Sequence, residues 1–291
     1  MKKQKLVFII NPISGVGKQK TIEKLIDKVL DKNTFEISIK YTQAPKHATI
    51  LATESINEQA DIVVAVGGDG TVNEVASALI NSRVKLAIIP VGSGNGVARH
   101  LKIPLKIKNA ISIINNQNYT IIDTAQINNV PFIMASGCGF DAFIADEFSK
   151  LKTRGFSGYI KLIAKHFLSY HPKHYKLSID EVTFEKEAFL ISVANCSQFG
   201  NNAYIAPKAV INDSLLNITI IKKFPLWSTG SIIIKLFSKK LNSSKHIETY
   251  TGKNIQISQN DFFAQMDGEP IYSGKEINIA ICPSSLNVIV S

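Results

Sequence analysis

The chain has 291 residues, of which 45% are hydrophobic and 19% charged, with a formal charge of +10. That balance excludes a disordered chain, and the length accommodates one large domain or two ordinary ones, either with a full core. The positive charge points to an anionic partner, and no RRM, KH or helix-turn-helix signature accompanies it, so no nucleic-acid partner is expected.

In chain order, "KLVFIINP" reads as a strand. Its apolar run is too short for a signal peptide, and Asn11-Pro12 ends it. "KQKTIEKLIDKVLDK" places Ile22, Leu25, Ile26, Val29 and Leu30 at helical spacing. "FEISIKYT" alternates as a strand and "APKHATILATESINEQ" reads as a helix. "DIVVAVGGDGTVNEV" is a buried strand that stops at Gly67-Gly68 and restarts as a helix after Gly70, with Thr71 placed to cap it. "VKLAIIPVG" is a further strand, leading to a helix that includes "GVARHL". This alternation predicts a parallel sheet with helices on both faces and ligands at the carboxyl ends of its strands.

Near residue 121 the texture changes to short strands: "PFIMASG", "KLSID", "FLISVAN", "LLNITII", "NIQIS", "FFAQMD", "EINIAI" and "LNVIVS". They predict an antiparallel β domain. Two helices interrupt it, "GYIKLIAKHFLSY" and "PLWSTGSIIIKLFSKKL". No window approaches the roughly 20 apolar residues of a membrane span. Cys138, Cys196 and Cys282 form no C-x-x-C and suit a reduced cytosolic protein. The six histidines form no metal set.

Four glycine clusters are candidate ligand loops. "NPISGVGKQ" fails as a Walker A motif, with Pro12 for the first glycine and Gln19 where Ser or Thr should follow the lysine. "SGCGFDA" matches the weak G-x-G-x-x-A fingerprint but lies where the chain turns β-rich, and is read as structural. "PVGSGNGVARHL" could hold phosphate through backbone amides, Ser93 and Asn95. "GGDGTVNE" is the strongest, and Asp69 is its puzzle: a carboxylate in a turn built to receive an anion.

"NPISG", "GGDGTVNEV", "PVGSGNGVARHLKIP" and "MDGEP", in that order, resemble the diacylglycerol kinase catalytic-domain superfamily, which includes bacterial soluble lipid kinases and sphingosine kinases. The resemblance implies an α/β N-terminal domain of the NAD kinase and phosphofructokinase type over residues 1–122. It also implies a C-terminal antiparallel β-sandwich over residues 123–284, with residues 285–291 as a return strand to the first domain. It implies an ATP-dependent kinase acting on a lipid hydroxyl, of diacylglycerol or sphingoid type, with Mg2+ as cofactor.

Carried over by motif, Asn11, Pro12, Ile13, Ser14, Gly15, Thr42, Gly67, Gly68, Asp69, Gly70, Thr71, Val72, Asn73 and Ser93 would bind ATP. Glu269 matches the general base. Asp123 and Asp213 resemble acids of a metal–water network, and Asp69 would face either a cation or the acceptor hydroxyl. The chain departs from the pattern at Gly96 and Asn217, where acids are usual. The first departure bears on the acceptor and the second on the metal.

Both helices of the β domain set lysines beside apolar and aromatic residues, as suits an anionic bilayer surface or a helix packed on a sandwich. The expected partners are therefore a lipid substrate at a membrane surface, with peripheral contact on its inner face, and a second copy of the chain in a homodimer. Two rival functions are phosphorylation of another small hydroxyl such as that of NAD, and ATP sensing without catalysis.

Overall fold

The computed structural model describes residues 2–14, 19–151 and 156–291. The chain divides into two compact units, Met1–Asp123 with Pro283–Ser291, and Thr124–Cys282.

The first unit is an α/β domain. Its strands and helices alternate as β1 (Gln4–Ile10), α1 (Gln19–Val29), β2 (Phe35–Tyr41), α2 (His47–Asn57), β3 (Ile62–Gly67), α3 (Asp69–Leu79), β4 (Lys85–Pro90), α4 (Gly96–His100), α5 (Ile107–Asn116) and β5 (Tyr119–Ile127). The strands β2-β1-β3-β4 lie side by side in that order, all parallel. β3 is buried along its whole length, as a central parallel strand covered on both faces must be. α1 packs with α5, and α2 with α3. The strand order reverses between β1 and β3, so the loops after these two strands open a crevice at the carboxyl edge of the sheet.

Helix α3 begins at Asp69, with Gly68 as its N-cap, rather than after Gly70. Thr71 therefore lies inside the first turn and does not cap it. An extended Gly68 supplies the entry angle that a side-chain cap would otherwise set. Glu74, about one turn beyond Gly70, serves a different helix. Its carboxylate accepts the backbone N–H of Lys46 at 3.0 Å and of Ala48 at 3.1 Å, at the start of α2.

The second unit carries β6 (Val130–Phe132), β7 (Ala135–Gly139), α6 (Phe140–Ser149), α7 (Phe156–His166), β8 (Lys173–Ile179), β9 (Val182–Ala188), β10 (Leu190–Ala194) and β11 (Leu216–Ile221). There follow α8 (Thr229–Phe237), β12 (Ile247–Gly252), β13 (Asn254–Ser258), β14 (Phe263–Met266), β15 (Glu269–Tyr272) and β16 (Glu276–Ile289). One antiparallel sheet runs β12-β11-β10-β7-β14-β15, and a second sequence of pairs runs β16-β13-β8-β9. Both supply the same core: Leu177, Ile255 and Ile257 meet Ile191, Val193 and Ile218, all buried. This is the β-sandwich arrangement, with inward residues of two sheets interdigitating.

"SGCGFDA" is structural in this setting. It runs from β7 into α6 inside an antiparallel sheet, and a Cβ on Gly137 would lie 2.4 Å from the Ile191 carbonyl oxygen of β10. The segments "EINIAI" and "LNVIVS" are one continuous strand, β16, instead of two. Residues 276–280 pair with β13, whereas Val288 pairs with Leu86 of β4. Between them Pro283 lacks an N–H to donate and Ser284 has φ 47°, so the strand changes partners where its ladder is already broken. The strand β9 and the helices α5 and α6 add to the elements expected from the sequence, although α5 sets Ile107, Ala110, Ile111 and Ile114 at helical spacing.

Candidate active site

The first group of candidate residues collects at the carboxyl edge of the parallel sheet. Each strand ends by passing one backbone bond to its neighbour: Thr42 N–H to Ile10 O at 3.0 Å, Asn11 N–H to Val66 O at 3.0 Å, and Val91 N–H to Gly67 O at 3.0 Å. These three bonds line up the loops after β2, β1, β3 and β4. Residues far apart in sequence, Thr42, Asn11, Gly67-Gly68 and Gly92-Ser93, thus emerge side by side.

Asn11 knits two of these loops together. Its side-chain N–H donates to Thr71 Oγ1 at 3.1 Å, while its Oδ1 accepts the Ile13 N–H at 3.0 Å. Thr71 is buried in the first turn of α3 and packs over Gly67, where a Cβ would lie 2.4 Å from the threonine Cβ. Gly67 is thus required by Thr71. The loops after β3 and β4 approach backbone to backbone, since a Cβ on Gly92 would lie 2.5 Å from Gly68 Cα. Gly70 differs from both, with nothing within 4 Å of its notional Cβ.

Asp69 has a definite partner. Its Oδ1 accepts the Gly96 N–H at 2.7 Å, and the neighbouring Val97 and Asn95 amides add to the stabilisation of its charge. The acid therefore joins the loop after β3 to the start of α4. Burial pushes its carboxyl up, and these backbone bonds pull against that shift. Gly96 contributes the amide at 2.7 Å. An aspartate side chain there would add a second carboxylate close to Asp69.

The remaining residues of this group differ in what they can offer a ligand. Pro12 and Ile13 are exposed and Ser93 is exposed, so all three are open to solvent. Val72 is a core side chain whose N–H is already bonded to Gly68 O, so it lines the turn from behind. Asn73 is partly buried and its Oδ1 has no partner among the described residues, as is also true of Asn95 Oδ1. Gly15 lies outside the described residues.

The second group belongs to the β-sandwich unit. Met266 and Glu269 face each other across the β14–β15 hairpin, and Asp267-Gly268 make its two-residue turn with φ 50° and 84°. Both positive values fit the primed turn that Asp-Gly favours. The Asp267 carboxylate accepts three backbone N–H groups, from Ile133 at 3.1 Å, Met134 at 2.9 Å and Ala135 at 3.0 Å. Glu269, exposed, leaves this turn as the first residue of β15.

Beneath the hairpin lies a network that the motif reading passed over. Gln265 accepts the Gly268 N–H at 3.0 Å through Oε1 and donates through Nε2 to Asp141 Oδ2 at 3.2 Å. Asp141 is buried, and burial pushes its carboxyl up to about 7. The only sequence signal for it was an acid inside the apolar "GFDAFIAD" run.

Asp123 and Asp213 each have a backbone partner within their own unit. Asp123 is 1% exposed and accepts the Ser284 N–H at 2.7 Å, where β16 changes partners. Asp213 is exposed in a turn and accepts the Leu215 N–H at 3.1 Å. Among the described residues no group of three or more His, Cys, Asp or Glu could hold a metal ion. A Mg2+ that arrives on the nucleotide phosphates needs only one or two protein carboxylates and is not tested by that count.

Comparison with known proteins decides the family. The diacylglycerol kinase catalytic domain matches residues 5–127, and the YegS C-terminal NAD kinase beta sandwich-like domain matches residues 135–290. A diacylglycerol kinase of Bacillus subtilis (strain 168) is 32% identical, covering 92% of this chain and 90% of its own. The chain belongs to the diacylglycerol kinase family. A diacylglycerol kinase of Staphylococcus saprophyticus is 29% identical over 92% of this chain and 89% of its own. A crystal structure from Bacillus anthracis str. Sterne shares the fold with a TM-score of 0.83 at 24% identity, covering 100% of this chain and 96% of the other. As a member of this family the chain is a lipid-kinase-type enzyme, and a kinase of this type takes ATP as its co-substrate. Among the described residues no helix is long and apolar enough to cross a membrane.

Proposed function

We propose that this member of the family transfers the γ-phosphoryl group of ATP to the hydroxyl of a diacylglycerol-type lipid. The observation that carries the nucleotide half of this reading is the alignment of four loops at one sheet edge, tied by Asn11 to Thr71 and by Asp69 to Gly96. Backbone N–H groups of glycine turns and the N-terminus of α3 suit a polyphosphate chain. Asn11, Thr42, the glycine turn around Asp69 and Ser93 are its proposed contacts. Asp69 serves by holding the second glycine loop in place through its amides, which answers the presence of an acid there without calling on a cation.

Glu269 is the proposed general base. In the transfer, the lipid hydroxyl oxygen forms a bond to the γ-phosphorus as the bond to the β,γ-bridging oxygen breaks. The hydroxyl proton passes to the Glu269 carboxylate and ADP leaves. The anchored Asp267-Gly268 turn supports this role, because a base must be held in position. Relatives at 29 to 32% identity are named diacylglycerol kinases, which supports that acceptor over NAD.

The test is a radiolabelled-ATP assay on diacylglycerol, sphingosine, ceramide and NAD in mixed micelles with Mg2+ present. Diacylglycerol should be the preferred acceptor. Glu269→Gln should lower kcat by roughly 10²–10⁴ while leaving the KM for ATP near the wild-type value. Turnover on NAD alone, or full activity of Glu269→Gln, would overturn the acceptor or the base respectively.

A further inference from the structure

The two helices of the β-sandwich unit look alike in sequence but are placed differently. The segment just after α7 is packed: Phe167 and Tyr170 join Phe140, Phe143 and Phe189 in an aromatic cluster, with Phe140–Tyr170 centroids 5.2 Å apart and Phe167–Phe189 centroids 5.4 Å apart. α8 is inverted. Its inner side holds Ile232, and Leu236 O accepts the Tyr204 N–H at 3.0 Å, which fastens the helix to the unit. Its outer side, continued through the 3-10 turn Leu226–Ser228, exposes Leu226, Trp227, Ile233, Ile234 and Phe237. Trp227 is 87% and Ile234 69% exposed. Ile233, Ile234 and Phe237 lie at three- and four-residue spacing on one side of the helix, and Leu226 and Trp227 precede Ile233 and Ile234 by seven residues, with exposed Gly230 between them. An ordinary surface helix turns charged residues outward along such a stripe.

The surroundings of the stripe are basic. Residues 222–247 contain six lysines and no acid. Lys223, Lys239, Lys240 and Lys245 are exposed. Lys235 is instead turned back, donating to Ser243 O at 3.2 Å. We propose that the stripe formed by the 3-10 turn and α8 is a membrane-docking surface. The helix lies flat with Trp227 and Ile234 in the acyl boundary, while the flanking lysines meet anionic headgroups. An apolar stripe, an aromatic at one end and a lysine rim are the features of an interfacial helix. A second copy of the chain suits the face less well, because a two-fold contact would set two lysine rims against each other. The proposal rests on the lipid-kinase reading only in that its acceptor resides in a bilayer.

Trp227 is the single tryptophan of the chain, so its fluorescence reports this surface directly. The full-length protein is titrated, without ATP, with vesicles of phosphatidylglycerol and of phosphatidylcholine. Emission should shift to the blue with phosphatidylglycerol, less with phosphatidylcholine, and the shift should weaken at 0.5 M NaCl. The double variant Ile233→Ser/Ile234→Ser changes exposed side chains only. It should bind phosphatidylglycerol vesicles at least about tenfold more weakly, by Trp227 emission and by sedimentation, with unchanged circular dichroism and unchanged phosphorylation of micellar lipid. An emission spectrum indifferent to both vesicles, or equal binding by the double variant, overturns the proposal. So does a blue shift that appears on raising protein concentration without lipid and is lost in the variant, since the face would then join two copies. Vesicle binding in a chain that phosphorylates no lipid would sustain the surface and defeat the lipid-kinase reading, so the two fail separately.

Discussion

Replacing Asp141 by asparagine should make the protein's stability less dependent on pH. Asp141 sits buried where β7 turns into α6, accepting the Ala142 N–H at 2.8 Å and the Gln265 Nε2–H at 3.2 Å. Two hydrogen bonds do not offset the loss of water around a carboxylate, and burial pushes the group from an ordinary 3.8 to about 7. Between those values the folded chain keeps a proton that the unfolded chain has released. Stability therefore falls as pH rises from 3.8 to about 7 and levels off above that.

At about 1.4 kcal/mol per pH unit the loss amounts to about 2 kcal/mol by pH 5 and about 4 kcal/mol by pH 8. Asparagine has nearly the same shape and carries no charge at either pH. In urea unfolding at pH 5, 6, 7 and 8, the stability of Asp141→Asn minus that of wild type should grow by roughly 2–3 kcal/mol across the range. Other titrating groups are common to both chains and cancel in the difference. A difference constant to within about 0.5 kcal/mol would refute the reasoning, because Asp141 would then ionise equally in the folded and unfolded chains. The Gln265 link to the Gly268 N–H should survive in either case.

Three further outcomes test the sites. Gly92→Ala should weaken ATP binding at least about tenfold in calorimetry, since its Cβ would press on the Gly68 backbone, whereas Gly70→Ala, facing open space, should fold and bind ATP near the wild-type level. Asp69→Asn should weaken ATP binding by about tenfold, because a neutral amide oxygen holds the Gly96 amide less firmly than a carboxylate; unchanged affinity would remove the loop-anchoring role. Asp267→Asn should destabilise the sandwich unit by about 2 kcal/mol and speed hydrogen exchange at Ile133, Met134 and Ala135, with kcat falling as Glu269 loses its support.

Much of the fold was legible because its signals are local. The alternation of strand and helix up to residue 121, and the glycine punctuation at the ends of β1, β3 and β4, are written in runs of a few residues. The β-rich texture beyond was equally plain, though β16 read as two strands because Pro283 breaks the pattern without ending the strand. The motifs also located Asn11, Gly67, Asp69 and Glu269 as residues of interest. They did not say what these residues touch.

The sequence by itself determined the two kinds of sheet, the order of the loops and the family to which they belong, since periodicity and motif spacing need no partner to be read. Only the tertiary structure decided the partners. Asp69 meets an amide 27 residues later, Asp267 meets amides more than 130 residues earlier, and Asp141 comes under the hairpin through Gln265. It also separated two similar segments, packing Phe167 and Tyr170 just after α7 into an aromatic cluster and leaving the apolar face of α8 in solvent. The physical reason is the same in each case. A carboxylate or an apolar stripe has its meaning set by what surrounds it, and those surroundings are assembled from distant segments only when the sheets form.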